Sequence, residues 1–259
     1  MTVLTLLVKA FNLRQLKQVD EGLRAEFENL DLDFKLLGAP VNKWVQVSLS
    51  GEDEVIATNY INNEIGTCPI SIKKVEEDSV LKGYVTKIDS EEDNLVVDVG
   101  IFEPTVIQAT IPSTILGTEL VNGKQLGLNQ ICKTFGLQRN SPLSIKIIGS
   151  SLEENYLKAE LSAAQVDKTR SWKDSLLDRL IVLGATRQEL ESVLERTRLN
   201  RDIIDVERLG FFEYALTCKL GTDATGVIPR IGRYMRNAQF AVFNSKKLYE
   251  LIGKMPFSL

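Results

Sequence analysis

The 259-residue chain contains no histidine. That removes the one side chain whose ordinary titration falls near neutral pH, the commonest metal ligand, and the base of every Ser/His or Cys/His nucleophile. Cys68, Cys132 and Cys218 lie far apart with no Cys-x-x-Cys pair, so neither a disulfide framework nor a thiolate zinc site is expected, and a reducing cytoplasm is. No apolar run approaches the ~20 residues that a membrane-spanning helix needs. The opening run, residues 1–11, lacks the basic start and small-residue cleavage site of a signal peptide and reads as a buried strand. Internal repeats and low-complexity linkers are missing too. These absences point away from hydrolytic and redox enzymes, and no catalytic residue, cofactor or metal ligand is expected.

Hydrophobic residues make up 44% of the chain and charged residues 25%, an ordinary globular balance that fills normal cores. The length exceeds the ~100–150 residues of one domain, so two or three cores are expected. A net charge of −4 hides an uneven division. Residues 1–77 carry 8 basic and 12 acidic side chains and residues 78–164 carry 7 and 11, whereas residues 165–259 carry 16 and 12. The last third is therefore the part that meets a polyanion first. Within it, Lys219, Arg230, Arg233, Arg236, Lys246, Lys247 and Lys254 face only Asp223 and Glu250.

Hydrophobic periodicity divides the chain in three. The first part opens with a strand at residues 2–11 and a helix with Leu13, Leu16, Val19, Leu23, Phe27 and Leu30 on one face. Strands at 34–37 and 44–49 follow, then a helix through Val55, Ile56, Tyr60, Ile61 and Ile65 that stops at Gly66. The predicted order is β-α-β-β-α over residues 1–76. Strands are predicted next at 80–89, 95–101 and 105–111, then a glycine-containing loop, a helical patch near Leu128, Ile131, Cys132 and Phe135, and strands at 143–148 and 156–161. That β-β-β-α-β-β order over residues 77–161 is that of the OB fold, a five-stranded Greek-key barrel.

Residues 162–259 read as a helix through Trp172, Leu176, Leu180 and Leu183 ending at Gly184, then a second capped helix from Thr186. Strands at 203–208, 211–220 and 226–231 and a last helix near 238–252 complete a winged-helix-like order of helix, turn, helix and β-hairpin. The fold class is thus α+β, with a central OB-type barrel between an N-terminal α+β unit and a basic C-terminal unit.

Gly83, Val85 and Ile88, the run Val97, Asp98, Val99, Gly100, residues 109–112, and residues 145–148 with Leu161 and Ser162 resemble the RNA-binding OB repeat first described in the largest protein of the bacterial small ribosomal subunit. The resemblance covers about a third of the chain. It departs at the third strand, where the family presents an aromatic residue and a histidine and residues 105–111 offer neither. Through the helix at 51–66 and the turn at 221–232, the whole chain also resembles an uncharacterised archaeal family known only as a domain of unknown function. That likeness implies an archaeal cytoplasm and a role near transcription or translation.

In such barrels, single-stranded nucleic acid crosses the strand 2–3 face, with basic groups on phosphates and aromatic rings under bases. Lys82, Tyr84 and Thr86 alternate onto one side of the first strand, and Phe102, Lys146 and Lys158 are expected near it. The acidic residues Glu91, Glu92, Asp93, Glu153 and Glu154 in the same segment oppose this. A denser candidate is Arg230, Arg233, Tyr234 and Arg236, with Lys246 and Lys247 further on, because arginine forks grip phosphate and stack on bases. The same surface could instead dock the acidic first or second part.

Gly221 and Gly226 have the spacing of a phosphate loop, but Val227 and Ile228 stand where Lys and Ser/Thr belong, so a tight hairpin containing Asp223 is expected. Asp89, Glu91, Glu92 and Asp93 lack EF-hand spacing and read as a solvated turn.

The expected function is a non-enzymatic factor of the translation or transcription machinery that binds RNA or single-stranded nucleic acid, with no membrane contact. The alternatives are an adaptor docking on a ribosomal or RNA polymerase component, and an enzyme using Asp, Glu and Lys with a metal and nucleotide.

Overall fold

A computed structural model describes residues 1–151 and 155–252. Glu153, Glu154 and Lys254 lie outside the described residues. The chain forms two compact units: Met1–Val75 with Val99–Ile107, and Glu76–Asp98 with Gln108–Leu259.

In the first unit, β1 (Thr2–Lys9), β2 (Leu32–Val41) and β3 (Trp44–Gly51) make an antiparallel sheet in the order β1-β3-β2. The middle strand is the most buried, with Val45, Val47 and Leu49 fully enclosed. Helix α1 (Leu13–Glu26) starts where the Asn12 side chain accepts from the Gln15 N–H, and it buries Val19 and Leu23 one turn apart. Helix α2 (Glu54–Tyr60) runs on into a π-helical turn at Ile61–Ile65. The rings of Phe34 and Tyr60 each pack edge-on to Phe27 at 5.7 Å. Short β4 (Ile70–Ser71) closes the unit, as Ile70 pairs in parallel with Ile101. The predicted β-α-β-β-α order is therefore present.

The barrel lies mainly in the second unit, with Val99–Ile107 counted in the first. Its strands are β5 (Val80–Asp89), β6 (Asn94–Glu103), β7 (Ile107–Pro112), β8 (Pro142–Ser151) and β9 (Tyr156–Leu161). β5 pairs antiparallel with β6 and β8, β8 with β9, β7 runs parallel to β9, and β6 also pairs with β7, which closes the barrel. Val85, Leu95, Val97, Ile145, Ile147 and Ala159 fill it at full burial. Two helices, α3 (Ser113–Val121) and α4 (Leu128–Thr134), stand where one patch was expected. The sequence hides α3 behind Gly117 and Gly123, yet Leu116, Gly117, Leu120 and Val121 are buried at helical spacing.

The C-terminal part differs from the winged-helix-like order. Its elements are α5 (Ala163–Asp174), β10 (Arg179–Leu183), α6 (Arg187–Arg196), β11 (Ile203–Arg208), β12 (Glu213–Cys218), α7 (Ala224–Gly232), β13 (Gln239–Phe243) and α8 (Ser245–Ile252). From β10 to β13 this is β-α-β-β-α-β, and the antiparallel sheet runs β11-β12-β10-β13. That is the ferredoxin-like, split βαβ arrangement. Leu180, Val182, Tyr214, Leu216 and Cys218 form the core of one sheet face with Leu190 and Leu194 of α6 and Val227 and Ile231 of α7.

Three local misreadings produce the difference. The helix expected to reach Gly184 stops at Asp174, because Leu176 takes a left-handed φ of 56° and residues 179–183 become the sheet's inner strand. Every β10 residue is buried, and a strand covered on both faces has no alternation to read. Residues 226–231 are helical rather than a strand: the Asp223 side chain accepts from Thr225 N–H, and Ala224, Val227 and Ile231 line the buried side. The hairpin expected around Asp223 is therefore a helix start. Residues 239–243, expected in the last helix, pair with β10 along the edge of the sheet.

Arg179 gathers the carbonyls at the end of α5, donating through Nη1 to Trp172 O at 3.1 Å and Leu177 O at 3.2 Å. All three cysteines are buried thiols outside any disulfide, and burial pushes the Cys132 thiol up to about 12 and the Cys218 thiol up to about 11. A disulfide-exchange reagent at pH 8 is expected to leave the native protein unlabelled and to label all three thiols in denaturant; rapid native labelling would contradict this burial. Among the described residues, no helix is long and apolar enough to cross a membrane.

Candidate nucleic-acid interface

Alternation does put Lys82, Tyr84 and Thr86 on one side of β5, opposite the buried Gly83 and Val85. Their surroundings differ sharply. Tyr84 is only 2% exposed, and its hydroxyl donates to Glu213 Oε2 on β12 at 3.2 Å. No base can stack on a ring covered in this way. Thr86 Oγ1 donates to Val96 O at 3.3 Å. Lys146 is held by Asp78 at 2.9 Å and Glu160 at 3.3 Å, contacts that raise its pKa. Lys82 and Lys158 are exposed. Phe102 is half-buried and belongs to the first compact unit.

The barrel's strand 2–3 face is no richer. Leu95, Val97, Ala109 and Ile111 point inward, leaving Asn94, Val96, Gln108 and Thr110 outward in the second unit, none of them basic or aromatic.

The C-terminal sheet has a second face, carrying Arg179, Ile181, Leu183, Glu213, Ala215 and Thr217, and all six are buried. RNA-recognition domains use a four-stranded sheet whose aromatic residues stack bases on the free face. Here that face is covered by barrel and helices. Phe243 meets Trp172 of α5 at 5.5 Å and Phe135, at the end of α4, at 6.1 Å. A Cβ on Gly136 would stand 2.8 Å from Ile181 Cδ1 and 3.2 Å from the Val242 carbonyl carbon, so only glycine allows this approach.

Glu213 marks the seam. Burial pushes its carboxyl up to about 7, against the Phe212 N–H and Tyr84 hydroxyl that donate to it and the positive charge of Arg208. Tyr84→Phe removes one of those donors and is expected to lower stability by ~1.5–3 kcal/mol above pH 7, read from urea unfolding. An unchanged unfolding midpoint would contradict the bond.

The basic side chains converge elsewhere. On α7, Val227 and Ile231 face the core and Arg230 is exposed; in the turn beyond it, Met235 is buried and Arg233, Tyr234 and Arg236 are exposed. The C-terminal end of α6 and the turn after it lie against them. Arg230 donates to Asp202 Oδ2 at 3.2 Å and to Thr197 O at 3.0 Å. The Arg196 and Arg233 guanidinium carbons lie over the Tyr234 ring, 4.7 Å and 4.9 Å from its centroid.

Arg198 and Arg201, both exposed, extend the cluster. Residues 196–202 and 230–236 thus join six arginines to one carboxylate, Asp202. Among the described residues, Arg196, Arg198, Arg201, Arg233 and Arg236 meet no carboxylate. Cations near helix C-termini also gain ~0.3–1 kcal/mol from the macrodipole, which accounts for one or two arginines but not for six. Lys246 and Lys247 are exposed on α8, which packs with α5 through Tyr249 Oη and Asp174 Oδ1 at 3.2 Å, on the opposite layer from α6 and α7.

Arg196, Arg198 and Arg201 were not among the expected site residues. The signal available was three arginines within six positions; their nearness to Arg230–Arg236, some thirty residues later, is a consequence of topology.

Models of one protein family match the chain almost throughout: the DUF2110 N-terminal domain over residues 3–71, the central domain over 75–173 and the C-terminal domain over 177–243. A search of curated proteins finds no match. Among solved structures, uncharacterized protein MJ1198 from Methanocaldococcus jannaschii is 13% identical over 34% of this chain and 95% of its own, with a TM-score of 0.24. GSP13 from Bacillus subtilis is 19% identical over 35% of this chain and 58% of its own, with a TM-score of 0.27. The intact alpha subunit of aIF2 from Pyrococcus abyssi is 8% identical over 65% of this chain and 97% of its own, with a TM-score of 0.26.

Proposed function

The chain belongs to the DUF2110 family, and we propose that it is a non-enzymatic RNA-binding accessory factor of the translation or transcription machinery that holds RNA on its C-terminal arginine surface. The observation that carries this reading is the convergence of residues 196–201 and 230–236, which leaves five arginines that meet no carboxylate among the described residues. Arginine presents a planar fork matched to phosphate oxygens and stays charged at any physiological pH. The non-enzymatic part rests on the missing histidines and on the Cys132 and Cys218 thiols, whose raised pKa keeps them protonated.

Fluorescence polarisation of labelled RNA across a salt series tests the reading. Neutralising about five phosphates releases their counterions, so the logarithm of affinity should fall against the logarithm of salt with a slope of about −4. Salt-independent binding, or none at low salt, would count against it.

A second reading, docking on a protein component of the same machinery, is favoured by α2 of the first unit, where Val55 is 70% and Ile56 55% exposed. A partner captured after nuclease treatment and lost with Val55→Asp and Ile56→Asp would support that version.

A further inference from the structure

Resting on the RNA-binding reading above, we infer that the arginine surface takes the paired phosphate backbones of a double helix rather than unpaired bases. Proteins that hold single strands combine a basic groove with aromatic platforms on which successive bases stack. Both tyrosines among the expected site residues are already in use; Tyr156 is 41% exposed but stands on β9 of the barrel, outside residues 196–202 and 230–236. Tyr234, the aromatic side chain within the cluster, is 37% exposed and has the Arg196 and Arg233 guanidinium groups over its ring. Tyr84 is buried against Glu213, and the central strands β10 and β12 are buried on the second face of the C-terminal sheet.

Arg196, Arg230 and Arg233, by contrast, are held in place. Arg230 pins α7 to the end of α6 through Asp202 and Thr197 O, Tyr234 spaces Arg196 from Arg233, and the helices beneath are anchored by Leu194, Val227 and Ile231. A double helix presents its phosphates at fixed spacing, so it meets a rigid array without further ordering. A flexible single strand must be ordered nucleotide by nucleotide, and within the arginine cluster the Tyr234 ring, already under two guanidinium groups, does little to offset that loss. The shared chemistry is the duplex backbone, whether RNA or DNA; in RNA, the 2′-hydroxyls of the shallow minor groove add further acceptors and donors for the same side chains.

The test uses the full chain and three labelled probes of about 16 nucleotides per strand, the span of a typical duplex-RNA reader: an unstructured RNA, an RNA duplex and a DNA duplex of matching sequence. An RNA duplex bound at least ~10-fold more tightly than the single strand, with most of the gain lost in Arg196→Ala, Arg233→Ala, is the expected result. Equal binding of both duplexes assigns recognition to the backbone alone, and a preference for the RNA duplex adds the sugar; both support the inference. Single-stranded RNA bound as tightly as duplex or more so overturns it while leaving RNA binding intact. No binding of any probe at low salt overturns the RNA-binding reading itself.

Discussion

Replacing Arg196, Arg233 and Arg236 together by glutamate is expected to lower RNA affinity by roughly 1,000-fold, from at least ~10-fold per charge-assisted phosphate contact. The salt slope should flatten by about three units, one for each phosphate no longer neutralised. The effect is specific to these positions. All three side chains are exposed and meet no carboxylate among the described residues, so replacing them breaks no ion pair of the fold. Arg230 makes the opposite case: because it spans Asp202 and Thr197 O, Arg230→Ala should disturb the seating of α7 as well as binding. Lys82→Glu and Lys158→Glu on the barrel are expected to change affinity by less than about threefold, as long-range charge effects are largely screened at physiological salt. Circular dichroism and polarisation on the same preparations separate folding from binding. A triple variant that still binds at wild-type strength would remove the arginine surface from the account.

Glu213→Gln is expected to stabilise the protein by ~3 kcal/mol at pH 8 and to be nearly neutral below pH 4.5. The carboxyl is fully enclosed between β5 and β12, and its pKa rises from an ordinary 4.5 to about 7 on folding. Below 4.5 it is protonated in both the folded and the unfolded chain, and its full contribution to stability is present. As pH climbs through 7 the unfolded chain has already ionised, while the folded chain must either hold a proton or bury a charge, so stability falls across that window. Glutamine keeps the shape and an acceptor for the Tyr84 hydroxyl and the Phe212 N–H and never ionises. Urea midpoints of both proteins between pH 4.5 and pH 8 read the difference directly. A gap that stays constant over that range would show that Glu213 does not titrate at the seam.

Different parts of the fold were legible for different physical reasons. The barrel could be read because its strands are buried on one side: Leu95, Val97, Ala109 and Ile111 alternate with Asn94, Val96, Gln108 and Thr110. The N-terminal unit could be read because caps and apolar stripes agree, with Asn12 at the start of α1 and Val19 and Leu23 beneath it. The C-terminal sheet could not, since β10 lies inside the sheet and under helices on both faces, and Leu180 and Leu183 then imitate one side of a helix. In α7, Thr225 reads as part of a turn and Gly226 as the start of a strand, whereas the tertiary contacts of Val227 and Ile231 decide for helix.

The candidate site was legible in half. Arg230, Arg233, Tyr234 and Arg236 stand together in the sequence and on the surface, but Arg196, Arg198 and Arg201 join them only once β11 and β12 have turned the chain back. Alternation placed Tyr84 on the right side of β5, yet no local pattern could show that β12 would bring Glu213 onto its hydroxyl.

Hydrogen–deuterium exchange of the full chain, with and without a saturating RNA duplex, tests the central claim most directly. The account predicts slowed exchange at residues 196–201 and 230–236, with β6 and β7 unchanged. Protection of the barrel strands, with the arginine segments exchanging as they do without RNA, would contradict it.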